Sequence, residues 1–337
     1  MQHLVAFIAG LKSPATQNTT KQIYASLTIA LRPPMRQSYS EEDIPSQHGK
    51  TVLITGANTG IGFETARIFA TKNARVLLGC RSKSKAMQAI EDIQAVYPKA
   101  DLAWIELDLS DLNNIRSAAE VVQTESRLDI LINNAAIMAV PRSLTKDGFE
   151  CQFGVNHLGH FALTGLLLQK LAVQSGARVV TVSSLAHRTG KINFNDLHGA
   201  SSYSSMSRYQ MSKAANLYFT LELQRRLGSA NNGTLSIGCH PGIATTEIGR
   251  HFPAWLRLIT PLANPFFNSA AQGALPCLYA ATSPDVTGMG YYGPTKRAES
   301  VHSAGEAIIA EHIRDETIAR QLWDKSVELT GVNFGLK

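Results

Sequence analysis

Cysteine is scarce in this 337-residue chain: Cys80, Cys151, Cys239 and Cys277 are scattered and form no CxxC pair. That excludes a disulfide framework and a cysteine-rich zinc site, and it favours free buried thiols in a reducing compartment. No metal site is expected either, because His157, His160 and His187 have no ligand spacing with a carboxylate or cysteine and read as structural or surface histidines. No uninterrupted apolar run reaches the roughly 18 residues of a bilayer-spanning helix. The start, MQHLVAFIAGLK, lacks the basic leading region and cleavage site of a signal peptide. Charge is also sparse. Only 17% of residues are charged, and Lys plus Arg (32) exceeds Asp plus Glu (26) by a mild +6 with no basic tail or run. Nucleic-acid binding is therefore not expected.

What is present is apolar residue, 44% of the chain, enough for a sizeable core. Residues 1–46 stand apart, with Pro14, Pro33, Pro34 and Pro45 and two short apolar patches, Leu4–Leu11 and Ile23–Leu31. They read as an N-terminal extension. Residues 1–31 are the segment that would carry any peripheral membrane contact of an otherwise cytoplasmic protein. From Gly49 onward, β-branched or Leu-rich runs (Thr51–Thr55, Arg75–Cys80, Leu102–Leu107, Leu128–Asn133, Arg178–Ser184, Thr234–His240) alternate with segments of helical period (Gly60–Thr71, Lys83–Tyr97, Leu112–Thr124, Cys151–Val173, Met206–Leu227). Continuously apolar strands separated by helices predict an α/β fold, a single doubly wound parallel sheet with helices on both faces. Glu247–Ala281 breaks the alternation, being apolar and interrupted by proline; Tyr291–Gly293 reads as a final strand and Arg314–Leu329 as a closing amphipathic helix. The domain is set at 47–332, with 333–337 a C-terminal tail.

The first strand runs into Gly56-Ala-Asn58-Thr-Gly60-Ile61-Gly62 and then a helix. This is a Rossmann-type loop of the TGxxxGxG kind. Glycine allows the sharp turn and lets backbone N–H groups and the helix dipole approach a pyrophosphate. A glycine loop alone is as often an ordinary turn; here the strand–loop–helix context supplies the second signal. At the end of the second strand an NAD site carries an acid for the ribose 2′-hydroxyl. This chain has Cys80-Arg81-Ser82-Lys83. Arg81, with Lys83 or Lys85 assisting, suits a 2′-phosphate instead, which favours NADP(H) over NAD(H). The plainer alternative is a solvated basic loop.

Tyr209-Gln-Met-Ser-Lys213 puts a phenol and an ammonium one turn apart on one helix face. The ammonium stabilises a phenolate, so the tyrosine can give or take a proton at a carbonyl or alcohol oxygen. The spacing recurs by chance in many helices; its place after the fifth strand raises its weight. That strand ends in Ser183-Ser184, at the carboxyl edge where such sheets bind ligands. Glu222 and Arg225–Arg226 read as a solvated helix face.

Together, TGANTGIG (55–62), Asp108 in LDLS, NNAA (133–136), Asn156 in VNHLGHF, Ser184, YQMSK (209–213) and HPG (240–242) resemble the short-chain dehydrogenase/reductase family. The finer pattern (GCR at 79–81, GFECQFGVNHLGHF at 148–161, VSSLAH at 182–187, KINFNDL at 191–197, YYGP at 291–294) is similar to its retinol dehydrogenase-like branch. The resemblance implies that Gly56, Asn58, Gly60, Ile61 and Gly62 line the cofactor's pyrophosphate. It implies that Arg81 reads the NADP phosphate, that Asp108 and Leu109 contact adenine, and that Asn133 steadies the sheet. Asn156 would hold a relay water, Ser184 polarise the substrate oxygen, Tyr209 act as acid/base, and Lys213 lower its pKa and bind ribose. Pro241 and Gly242 would meet the nicotinamide carboxamide, and Thr246 matches the family's threonine beyond them. Two positions depart from the pattern: Ala136 replaces a glycine, and Thr59 stands where NADP-specific members carry a basic residue. The expected activity is interconversion of an alcohol and a carbonyl. The apolar Ile248–Phe267 points to a hydrophobic, retinal-like or lipid-like substrate, or equally to core or an oligomer contact. Homo-oligomers are common in the family. A nucleotide-binding scaffold with little activity is the alternative, and the intact Asn156, Ser184, Tyr209 and Lys213 set argues against it.

Overall fold

The structure is a computed structural model describing residues 39–243, 268–296 and 299–336. Its elements follow the alternation: β1 (Thr51–Thr55), α1 (Gly60–Thr71), β2 (Arg75–Cys80), α2 (Lys83–Val96), β3 (Asp101–Glu106), α3 (Leu112–Gln123) and β4 (Ile130–Asn133) form the first half. The second half holds α4 (Gly159–Ala172), β5 (Arg178–Val182), α5 (Ser205–Ser229), β6 (Leu235–Cys239), α6 (Ala270–Thr282), β7 (Tyr291–Lys296), β8 (Val301–Glu306) and α7 (Glu316–Thr330). The sheet order is β3-β2-β1-β4-β5-β6-β7-β8. All pairs are parallel except β7 with β8. The order reverses between β1 and β4, and that switch point opens a crevice at the strands' carboxyl ends.

The strand residues sort by period two into two cores. Val52 and Ile54 of β1, Val76 and Leu78 of β2, and Ile130 and Ile132 of β4 face one core with Ile68 and Phe69 of α1, Ile93 of α2 and Leu278 of α6. Leu53, Leu77 and Leu131 face the other, with Ile115 of α3, Leu163 and Leu167 of α4 and Phe219 of α5. Helices thus cover both faces, and the central strands β1, β2 and β4 read as mainly apolar for that reason. Helix starts are fixed locally: the side chains of Ser82, Asp111 and Ser204 accept N–H bonds from the first turns of α2, α3 and α5.

The structure departs from the sequence reading in several places. Tyr291–Gly293 is part of β7 but not the last strand, since β8 returns antiparallel beside it. The helix α6 lies inside the stretch read as proline-interrupted. It tolerates Pro276 because a Ser269–Gln272 capping box starts it, and its apolar face has the first core to bury against. Cys151–Val173 is not one regular helix: Cys151–Phe153 is a short turn, Gly154–Leu158 is a π-turn, and only then does α4 begin. Residues before 47 also join the core. Ile44 is buried in the first core, and Tyr39 packs edge-on against Tyr279 while its hydroxyl bonds Thr282 Oγ1 at 2.9 Å. Phe334, assigned to a tail, is buried between Trp323 and Phe161. Glu222 is not solvated. It is 4% exposed and paired with Arg225 and Arg226, whose side chain lies over Trp323 of α7. That face of α5 meets α7, a contact no single-helix pattern reveals. Among the described residues no helix is long and apolar enough to cross a membrane.

Candidate active site

The glycine loop closes where β1 meets α1. A Cβ at Gly62 would stand 2.3 Å from the carbonyl oxygen of Gly56 and 2.6 Å from Asn134 Nδ2, so only glycine fits. Gly56 turns in the left-handed region (φ +66°). Ile61 is buried beneath the turn, and Asn58 sits at its half-exposed rim. Cys80 lies buried at the end of β2 beside Ala57 and Asn58, and burial pushes its thiol up to about 11. This packing from the end of β2 carried no signal in the sequence.

A network behind the loop joins the ends of β1 and β4 to the π-turn. The backbone N–H groups of Asn134 and Ala135 both donate to Thr55 Oγ1 at 2.9 Å. With both lone pairs used, the Thr55 hydroxyl donates to His160 Nε2, 2.8 Å away. The His160 proton therefore sits on Nδ1 and is donated to the Asn156 carbonyl at 3.0 Å. Burial holds His160 down to about 4, so this neutral tautomer persists across the working pH range. His157 is likewise buried and held to about 3, donating to or accepting from Ser326 Oγ. Both histidines are structural, as the sequence reading has it, but His160 belongs to the site's frame.

Asn156 is fully buried in the π-turn. Its Oδ1 accepts from the Ile137 N–H, and its Nδ2 donates to the Ile137 carbonyl and to Ser212 Oγ, all at 2.9 Å. The side chain is thereby spent on clamping the loop after β4. The serine before Lys213 passes the connection on, Ser212 Oγ donating to the Tyr209 carbonyl at 2.8 Å.

β5 ends at Val182, which frees the next two serines. Ser183 points inward and donates to the Lys213 carbonyl at 2.7 Å. Ser184 stays half-buried, caps the turn Leu185–Arg188 and lies beside the Tyr209 phenol. The geometry so separates two neighbours of identical chemistry. Tyr209 is buried (6% exposed), and desolvation pushes its phenol above the ordinary range while the Ser184 side chain opposes that rise. The neighbouring ammonium does not by itself bring the phenol to neutral pH. Lys213 Nζ lies 5.8 Å from the Tyr209 ring centre and donates to the Val182 carbonyl at 3.1 Å. Burial lowers it to about 8, so it stays mostly charged at pH 7, with two N–H groups left over.

The remaining expected residues lie along the same carboxyl edge. Arg81 is exposed after β2 and close enough to act on the Cys151 thiol together with Asp108. Lys83 is occupied over the Trp104 ring, 5.5 Å from its centre. Asp108 Oδ1 accepts from Ser110 N and Oγ, while Leu109 is buried against the start of α4. Asn133 bridges β4 to α4, donating to Thr164 Oγ1 at 3.0 Å, and its buried Oδ1 has no partner among the described residues. Pro241 and Gly242 turn sharply out of β6, with Gly242 at φ +73° and no room for a Cβ against the Ser300 carbonyl. Thr246 and Ile248–Phe267 lie outside the described residues. A cavity of about 600 Å³ opens beside the first turn of α5, lined by Ala139, Pro141, Arg142, Tyr203, Ser204 and Ser205. A Cβ-free cradle at a helix N-terminus, a basic edge and spare ammonium donors fit a dinucleotide.

Comparison with known proteins gives one answer. Residues 50–257 match the short chain dehydrogenase family. Retinol dehydrogenase 14 of Mus musculus is 43% identical over 302 residues, covering 85% of this chain and 87% of that protein. Retinol dehydrogenase 12 of Mus musculus is 44% identical over 289 residues, covering 85% and 88%. A crystal structure of an uncharacterized protein from Mycobacterium Paratuberculosis aligns with TM-score 0.75 and 40% identity, covering 89% of this chain and all of that one. A dehydrogenase structure from Beutenbergia cavernae with bound NADP shares the fold at 22% identity and TM-score 0.55, covering 70% of this chain and 91% of that one. The chain belongs to the short-chain dehydrogenase family, in its retinol dehydrogenase-like branch, and is an oxidoreductase of the alcohol–carbonyl type using NAD(P)(H).

Proposed function

We propose that the protein interconverts a hydrophobic aldehyde or ketone and its alcohol with NADP(H), and that Tyr209 is the general acid/base. The observation that carries this reading is the Ser184 side chain beside the Tyr209 phenol, with the Lys213 ammonium 5.8 Å from the Tyr209 ring. The nicotinamide, when bound, supplies or accepts the hydride at the carbonyl carbon. In the reducing direction the Ser184 hydroxyl and the Tyr209 phenol both donate to the substrate oxygen, and the Tyr209 proton moves onto it. Lys213 offers its two spare N–H groups to the nicotinamide ribose and its charge to the phenolate left behind. The Asn156 carbonyl is the end of a water path to Lys213. Gly56, Gly60 and Gly62 pass the pyrophosphate, and Asp108 and Leu109 flank the adenine.

The absence of an acid after β2 and the exposed guanidinium of Arg81 support NADP(H) over NAD(H). The relatives' names, retinol dehydrogenase 12 and 14, support a hydrophobic, retinal-like or lipid-like substrate. The four free thiols suit a reducing compartment, the cytoplasm in this reading, with any membrane contact carried by residues 1–31. The test is NADPH oxidation with a panel from retinal to short aliphatic aldehydes and ketones, with Tyr209→Phe as control. A loss of turnover of about 10³-fold or more is expected in the variant, with NADPH binding kept. Equal rates in both proteins would remove Tyr209 from the acid/base role; tight NADPH binding with no turnover of any substrate would favour a scaffold.

A further inference from the structure

The turn between β7 and β8 places Glu299 between the two segments that frame the nicotinamide end of the crevice. Its Oε2 accepts from Arg188 Nη2 at 2.6 Å, and Arg188 ends the turn that Ser184 begins. The same oxygen lies 3.5 Å from Nε2 of His240, the residue preceding Pro241 and Gly242. Its other oxygen, Oε1, accepts from the Ile308 N–H at 3.0 Å. The carboxylate is only 12% exposed, so these contacts are not a solvated surface pair. Glu299 also holds a left-handed backbone conformation, φ +65°, which a residue with a Cβ adopts only where its surroundings impose it.

The hydrogen-bond directions show what the carboxylate does. The Gly242 N–H donates to His240 Nδ1 at 3.2 Å, so Nδ1 carries a lone pair and the proton is on Nε2. That buried N–H has no hydrogen-bond acceptor among the described residues, and Glu299 Oε2, 3.5 Å away, is the carboxylate oxygen set beside it. The adjacent Ser300 carbonyl accepts from the Ile243 N–H at 3.0 Å and from Asn268 Nδ2 at 3.1 Å, and Asn268 Nδ2 also donates to the Pro241 carbonyl. On the other side, the Ala310 N–H donates to His187 Nε2, so His187 donates from Nδ1 to the Ser184 carbonyl at 2.7 Å.

We infer that Glu299 is a positioning residue: one carboxylate, bonded to Arg188 and set beside His240, holds the Ser184 turn and the Pro241–Gly242 turn in register, and cofactor affinity depends on that register. The inference rests on the dinucleotide reading above for its functional half. Glu299→Gln removes the charge that holds Arg188 but keeps the shape. Glu299→Gly removes the carboxylate while relieving the left-handed backbone, so loss of fold is not expected. Both are compared with the full chain by NADPH titration, by hydrogen–deuterium exchange with and without NADPH, and by kcat and KM. The expected result is an NADPH Kd raised about tenfold or more, faster exchange confined to 184–190 and 240–243, and a KM for NADPH that changes more than kcat. Unchanged affinity with unchanged local exchange overturns the inference, as does exchange that rises evenly across the chain. If the wild-type protein binds neither dinucleotide, the functional reading fails, and exchange without ligand still decides whether Glu299 couples the two turns.

Discussion

Gly62→Ala tests the cofactor cradle with a single methyl. The added Cβ would stand 2.3 Å from the Gly56 carbonyl oxygen and 2.6 Å from Asn134 Nδ2, where ordinary contacts begin at 3.4 Å. Neither neighbour can simply turn aside. Gly56 is anchored by its N–H to the Gly79 carbonyl at 2.7 Å, and the Asn134 amide donates to the Thr55 carbonyl at 2.8 Å. The turn must open by about 1 Å. Overpacking of that kind costs about 1–3 kcal/mol. Charged wholly to the binding-competent loop, this weakens dinucleotide binding by about 5- to 150-fold. Alanine's better helix propensity, about 1 kcal/mol over glycine, offsets part of the cost to folding. The expected outcome is a folded protein with a nearly unchanged melting temperature and a much higher NADPH Kd, read by fluorescence titration beside thermal denaturation. A folded variant binding NADPH within twofold of wild type would refute the argument that this loop approaches the cofactor.

Arg81→Asp should move the preference from NADPH toward NADH, read as the ratio of the two kcat/KM values; an unchanged ratio assigns the phosphate to another group. The Lys213 ammonium has a sign that can be worked out. Burial lowers it from 10.5 to about 8, so between those pH values the unfolded chain binds a proton the folded one has released, and stability from this group rises with pH. Activity should move the other way, because the reaction uses the charged form. Urea unfolding of wild type and Lys213→Met should therefore show the variant's stability advantage shrinking from pH 7 to 9.5, by an amount on the order of 2 kcal/mol. A constant difference would mean that Lys213 is better solvated than its burial implies.

The order of elements and the polar identity of the site were legible in the sequence because each depends on local pattern. Continuous β-branched or Leu-rich runs and helical periods placed β1 to β6 to within about two residues. The glycine loop and the Tyr209–Lys213 spacing are legible for the same reason: one turn of backbone determines both. What stayed hidden depends on residues distant in the chain. β8 has no strong strand pattern and exists because β7 offers it an edge. The π-turn at Gly154–Leu158 is held by the clamp between Asn156 and Ile137, which is made only when the loop after β4 folds back. Glu222 reads as surface until α7 covers it.

The site divides in the same way. Sequence determined that a serine, a tyrosine and a lysine stand at the carboxyl edge of a dinucleotide-type sheet, because strand ends and helix spacing place them there. The tertiary structure sets the two serines after β5 apart, Ser183 turned inward to the Lys213 carbonyl and Ser184 left beside Tyr209. It also made the Asn156 side chain the clamp on Ile137, with His160 and Ser212 bonded around it. Those roles come from which lone pairs and protons remain after buried neighbours have taken theirs, and that accounting closes only when all the strands are side by side.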